Sequence, residues 1–424
     1  MAASGPLFQT ETLGPGVVLH HRRTKAFKTI TARVTLRTDL DERAAARAMI
    51  PRLLSRGTRR LPSIAALQIE LDRLYGSTLG GEARKIGEQH VIQFRSDWVL
   101  DRIAGTKLTR AMAELQAELL HDPAPWTESI FEHERKVLLD EARAVFDDKS
   151  RYARQRLIDE MCRWEPFARP SIGRIAEIEA LTLDDVRAAH ADLIARAPVD
   201  VFLVGNLTFK QAYAYARRLG LHENRKPRRL KRPPRVGASK VRTITEKQPL
   251  NQAKLEMGFR STIRLWSRRY AAMVMANALF GGTAIGRLFK EVREKKSLCY
   301  AVSSVIERSK GLVLVQAGID PANYRLARRT ILAELKAMQE GDVPLDSLEQ
   351  ARSMVLSGLR SMRDSPAALI EFALERTVNR IEPELEALEA ALEAVTPRQV
   401  AAAARTIELD TVFLLTSNGE GGEA

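Results

Sequence analysis

The sequence predicts an α+β fold made of two similar halves, and three observations carry that reading. Strand-like alternation and helical periodicity occur in mixed runs, without the strict strand–helix alternation of a doubly wound sheet. One block also recurs about half a chain apart. Leu181-Thr182-Leu183-Asp184-Asp185-Val186 precedes a helix and then the apolar strand 199–204, and Val395-Thr396-Pro397-Arg398-Gln399-Val400 precedes a helix and then strand 411–415. Finally, a Pro- and Arg-rich stretch, 223–240, separates a first half, 1–222, from a second, 241–424.

Taken in order, 17–21 and 29–36 alternate like strands. His20 and His21 are adjacent there and point to opposite faces, which is poor metal geometry. An Ala- and Leu-rich helix covers 44–55 and stops at Gly57. A second helix, 63–75, has Ser63 at its N-cap. Residues 82–98 form a strand pair turning at Gly87. Long helical patterns run over 100–120 and 127–146, and 150–161 continues them. In the second half, 243–246 and 253–259 are strands, 270–279 a helix, 312–317 a strand, and four or five helices fill 323–404. A Gly-rich tail closes the chain.

Composition describes a soluble globular protein of 424 residues with 45% hydrophobic and 28% charged residues, long enough for more than one core. Cys162 and Cys299 alone make no disulfide framework and suit a reducing compartment. Residues 1–10 lack the layout of a signal peptide, and no apolar run approaches the ~20 residues of a membrane span. The expected location is the cytoplasm. The net charge of +14 raises nucleic acid as a partner. Half of that excess, eight basic residues against one acidic, sits in 223–240, which is most simply a solvated linker and less so a polyanion-binding strip.

The stretch 288–304 organises the second half. Leu288, Phe289 and Val292 recur at helical spacing, and from Cys299 onward the pattern alternates as a strand. Arg293 therefore sits at a helix end and Tyr300 at a strand start. Both donate hydrogen bonds, so held on rigid elements they can bind a carbonyl oxygen or a carboxylate. The same residues also fit a capped helix end and ordinary strand packing.

This stretch, with Gly281-Gly282 and Arg287-Leu288-Phe289 ahead of it, resembles the second-domain signature of the M16 (insulinase/pitrilysin-like) zinc peptidases. That signature is a Gly-Gly turn, Arg-Leu-Phe, Arg-Glu-Lys-x-x-Leu-x-Tyr, then a strand. The resemblance implies two homologous α+β halves of the M16/LuxS-like metallohydrolase type. It also implies that Arg293 and Tyr300, with Gly281 and Gly282, hold peptide substrate opposite a zinc site. The glycines would admit peptide backbone because no Cβ intervenes.

An active member carries His-x-x-Glu-His on its first long helix, shortly before a Gly-Thr. Counted back from Gly57-Thr58, those positions hold Ala48, Pro51 and Arg52. By the same resemblance Glu141 stands for the third zinc ligand and Glu134 for its supporting acid. Without the histidines, these remnant acids are expected to pair with arginines on neighbouring helices. Pro51 should kink the helix. Gly281 to Arg287 has the outline of a phosphate loop, but Arg287 and Leu288 replace its Lys and Ser/Thr, which argues against nucleotide.

The resemblance thus implies a chain that is not an enzyme alone. It would bind no cofactor itself, with zinc supplied by a partner that carries His-x-x-Glu-His. The two would form a heterodimer around a peptide substrate, with neither membrane nor nucleic acid engaged. A purely structural scaffold is the alternative, and a polyanion-binding module resting on 223–240 a lesser one.

Overall fold

The computed structural model describes residues 6–417, apart from 224, 232–235, 238–239 and 383. The Gly-rich tail and parts of the expected 223–240 linker lie outside the described residues.

The elements follow in chain order. Three strands, β1 (Gln9–Gly14), β2 (Val17–Arg23) and β3 (Thr29–Asp39), lead to helices α1 (Ala44–Leu54) and α2 (Ile64–Arg73). A hairpin of β4 (Thr78–Ile86) and β5 (Gln89–Val99) precedes α3 (Asp101–Ala104), α4 (Leu108–His121), α5 (Glu128–Ala144) and α6 (Lys149–Met161). Next come α7 (Ile175–Glu179), α8 (Leu183–Arg196), β6 (Val199–Gly205) and α9 (Phe209–Arg218). The second half supplies β7 (Arg242–Lys247), β8 (Ala253–Arg260), α10 (Tyr270–Asn277), β9 (Cys299–Glu307) and β10 (Leu312–Ile319). It ends with α11 (Tyr324–Glu340), α12 (Leu345–Ser361), α13 (Pro366–Val378), α14 (Leu385–Glu393), α15 (Pro397–Ala404) and β11 (Glu408–Thr416).

The first sheet has the order β1-β2-β6-β3-β5-β4, the second β7-β11-β8-β10-β9. Each is mixed. β2 runs parallel to β6 and β11 parallel to β7, while the other pairs are antiparallel. That mixture with helices gathered on the sheets is an α+β architecture. The repeated block folds alike in both copies. Thr182 and Thr396 each accept a hydrogen bond from the backbone N–H three residues on and form a capping box, so the hydroxyl and the N3 side chain satisfy the helix start reciprocally.

Two compact units result, and they do not divide the chain consecutively. One comprises 1–143, 169–232 and 363–378, the other 144–168, 233–362 and 379–424. Thus α6 packs against β8 and β11, and α13 against β3 and β6. Sequence periodicity reports that a helix has an apolar face but not which sheet covers it. In the second unit, Leu157 and Met161 of α6 pack with Leu312, Leu314 and Phe413. The same segment brings Glu165 to Arg260 at 2.6 Å and to Lys310 at 2.5 Å, all three buried.

The expected linker begins later than the composition suggests. Arg225 is buried and donates to the Ala197 carbonyl, and burial lowers its pKa to about 10. The backbone N–H groups of Lys226 and Arg228 donate to Ala195 and Arg196, and Arg228 pairs with Asp192. Two of the eight basic residues are therefore engaged within the first unit, which weakens a polyanion strip. The 100–120 pattern is also broken at Gly105, a left-handed residue at φ 69° that ends α3. The stretch after Leu288 is not α-helical: Phe289–Lys295 is a π-helix, as is Ala278–Gly282. Its i→i+5 bonding is invisible to a 3.6-residue period. At Pro51, α1 continues as one element to Leu54, and Ser55 Oγ donates to the Pro51 carbonyl at 2.7 Å.

His90 on β5 is fully buried, and burial, with the Arg47 guanidinium adding to it, lowers its pKa to about 3. An unfolded imidazole titrates near ~6.5. The unfolded chain therefore takes up a proton that the folded chain refuses. This contribution is complete above about pH 6.5 and is lost as pH falls toward 3. Between pH 7.5 and 5 we expect it to cost about 2 kcal/mol in urea unfolding. His90→Gln should remove that share of the acid limb. An unchanged limb would show that His90 is not held neutral.

Candidate functional site

The first-unit position that the sequence singles out is a cleft of about 450 Å³ between α1, α5 and the edge strand β4. Ala48, Pro51 and Arg52 come from α1, and Glu134 and Glu141 from one face of α5, two turns apart. Gly81 lets β4 lie against this helix, because a Cβ there would meet Pro51 Cβ at 2.8 Å. The two acids are bound by guanidinium groups. Arg52 donates to Glu141 and lies 3.8 Å from the second oxygen of Glu134. Arg56 Nε donates to Glu134 Oε1 at 2.8 Å, and its terminal nitrogen donates to the same oxygen. Arg56 was missed from the sequence, because it lies in the turn just past the end of α1, where helical periodicity gives no facing.

This donor set does not fit zinc. Ala48 and Pro51 offer no ligand atom, Arg52 places a fixed positive charge in the cleft, and both carboxylates are already engaged. Among the described residues no group of three or more His, Cys, Asp or Glu side chains could hold a metal ion. The N-terminal histidines are used elsewhere. His20 Nε2 lies 2.9 Å from Asp200 Oδ1 and stacks on Phe202, while His21 meets Phe209. Burial pushes the Asp200 carboxyl up, but Arg37 at 2.8 Å and His20 outweigh it, and the net shift is downward. We expect 100 μM zinc, or excess chelator, to leave the melting temperature unchanged. Arg52→Ala, which strips the cation from two acids, should lower it by an amount worth about 1 kcal/mol. A zinc-dependent rise in the unaltered chain would contradict this account of the cleft.

The second-unit position is built on the π-helix and β9. β9 is the last strand of its sheet. Tyr300 is 83% exposed on it. Arg293 is also exposed, and its guanidinium stacks over Phe289 at 4.6 Å from the ring centre. Burial raises the Cys299 thiol to about 11, with Arg293 pulling the other way, so the guanidinium acts next to the base of the Tyr300 strand. Both cysteines are buried, which suits small hydrophobes and not reactive thiols. Ser297, at φ 51°, makes the turn from π-helix to strand. Insertion of one residue per turn re-aims side chains, and such segments occur often at functional sites.

Gly281 and Gly282 are placed differently from the expectation. A Cβ at Gly281 would meet Leu288 Cδ1 at 2.7 Å and Ser304 Oγ at 3.0 Å, and one at Gly282 would meet Asn277 Nδ2 at 2.5 Å. The space a Cβ would need is filled from within, so local packing by itself requires glycine at both positions. Arg287 is bound by Glu334 at 2.8 Å and Asp342 at 2.7 Å. That leaves the phosphate-loop outline without a free cation at this position.

A two-sheet α+β chain with a filled metal cleft in one unit and an exposed Arg–Tyr pair in the other defines an inactive metallopeptidase homologue. The chain belongs to the M16 peptidase family. Residues 180–355 match the family described as Peptidase M16 inactive domain. The chain is 30% identical over 415 residues to the probable inactive metalloprotease YmfF of Bacillus subtilis (strain 168), covering 94% of this chain and 96% of that protein. A conserved protein from Enterococcus faecalis V583 has the same fold, with a TM-score of 0.87 and 25% identity over 98% of this chain and all of that one. A peptidase M16 inactive domain from Pseudomonas fluorescens superposes with a TM-score of 0.80 at 18% identity, over 98% of this chain and 100% of that one. No helix among the described residues is long and apolar enough to cross a membrane.

Proposed function

We propose that this chain is the non-catalytic, Arg/Tyr-bearing subunit of a heteromeric M16 peptidase, pairing with a chain that carries His-x-x-Glu-His. The observation that carries this reading is Tyr300. A tyrosine with 83% of its surface in water contributes little to packing, yet it stands on a strand whose register is fixed by β10. Its phenol is free to donate to an oxygen that gains charge during peptide hydrolysis, and Arg293 to hold the substrate chain. The metal chemistry belongs to the partner, because both acids of this chain's own cleft are engaged by Arg52 and Arg56. The substrate is a polypeptide, bound without nucleic acid and away from membranes, in the cytoplasm.

The direct test is assembly. Mixed with an M16 chain from the same genome that has the zinc motif, this protein should elute as a heteromer in size-exclusion chromatography with light scattering. Persistent separate elution at micromolar concentrations would refute the pairing and leave the structural scaffold as the reading.

A further inference from the structure

A second hollow, of about 260 Å³, lies in the first unit beside the filled cleft, with which it shares Ser55 and Ile64. Its wall is chiefly leucine: Leu67 and Leu71 of α2, Leu119 and Leu120 of α4, and Leu79 of β4. Three polar residues share that wall: Ser55 Oγ donates to the Pro51 carbonyl and Gln68 Nε2 to Asp72, which leaves Gln116. Gln116 of α4 is 1% exposed, its Oε1 accepts from the Tyr215 hydroxyl, and its Nε2 has no partner. Tyr215 is itself buried and stacks on Trp98, with Ser96 Oγ 3.5 Å from its hydroxyl. With the Tyr215 hydroxyl donating to Oε1, the unpaired end of the carboxamide is its N–H donor. An unpaired buried N–H forfeits its hydration without recompense, and native interiors rarely leave one.

We propose that this hollow is a binding site for a compact apolar group carrying one hydrogen-bond acceptor, which Gln116 Nε2 recognises. An apolar cavity of about 150 Å³ takes benzene, and this one is larger, so a ring with a short carbonyl-bearing tail fits. The leucines supply affinity through burial, and the carboxamide supplies orientation and selectivity. The pairing of apolar group and carbonyl is found both in free small molecules and in a residue of a polypeptide. The proposal does not involve Arg293 or Tyr300 and stands whether or not the chain assembles with a zinc-bearing partner.

The test is titration of the full-length chain with acetophenone and with ethylbenzene, which lacks the acceptor, followed by methyl NMR of leucine. Shifts should localise to Leu67, Leu71 and Leu119, with acetophenone binding about tenfold more tightly. Gln116→Leu should erase the difference between the two probes. Tyr215→Phe, which only releases the carboxamide orientation, should shrink it and serves if the first variant fails to fold. Leu79→Trp, filling the hollow from its β4 wall, should abolish both. N-acetyl-leucine N-methylamide presents the same chemistry as part of a polypeptide; whichever carbonyl probe displaces the other at lower concentration identifies the source, and either order supports the site. Absence of localised shifts with every probe, or a preference for acetophenone that survives Gln116→Leu, would overturn the proposal.

Discussion

Tyr300→Phe should reduce peptide cleavage by the assembled complex by about 10²–10³-fold, the usual effect of deleting one preorganised donor aimed at a developing oxyanion. Only the hydroxyl is removed. The ring remains, and because Tyr300 is 83% exposed, the fold loses neither a buried contact nor a buried partner. Melting temperature and assembly should therefore stay as they were. The loss should fall on kcat, because an interaction strengthened in the transition state changes turnover more than ground-state binding. Cleavage within twofold of the unaltered complex would remove Tyr300 from the chemistry. A matched loss of stability would assign it to the scaffold instead.

The second large effect concerns the fold. Glu165→Ala should destabilise the second unit by about 3–5 kcal/mol, because it leaves Arg260 and Lys310 buried without their shared carboxylate. Burial pushes the Glu165 carboxyl up, but Lys310 and Arg260 outweigh it and hold its pKa below the ordinary value. Arg260 keeps Asp410 at 2.9 Å and the Met161 carbonyl at 2.6 Å. The magnitude is far above that of the surface ion pairs on α12, which contribute about 0–1 kcal/mol. Chemical denaturation reads it directly. A change under 1 kcal/mol would show that the 144–168 segment is not anchored to the second sheet as the ion pairs require.

Much of this was legible in the residues. The repeated block is a local signal, legible as 181–186 and 395–400, and its Thr182 and Thr396 start their helices with capping boxes in both copies. The emptied metal motif was equally readable, since Ala48, Pro51 and Arg52 carry the wrong chemistry in any backbone. What sequence could not supply was partnership at long range. Arg56 is one arginine among many until α5 brings Glu134 to it. The exchange of α6 and α13 between units leaves their periodicity untouched. The π-helices escaped because i→i+5 bonding is rare and has no composition cue. Gly281 is ambiguous for a related reason: a missing Cβ serves a ligand or a neighbour alike, and sequence does not show that Leu288 lies against it.

The central claim is that the chain brings donors but not metal. It is tested most directly by measuring zinc content and peptide hydrolysis for this chain alone, for a zinc-motif M16 partner alone, and for the two together. The account predicts substoichiometric zinc and no cleavage for this chain, and cleavage well above the partner's own only in the mixture. Tight one-to-one zinc binding by this chain in isolation, with hydrolysis to match, would contradict it.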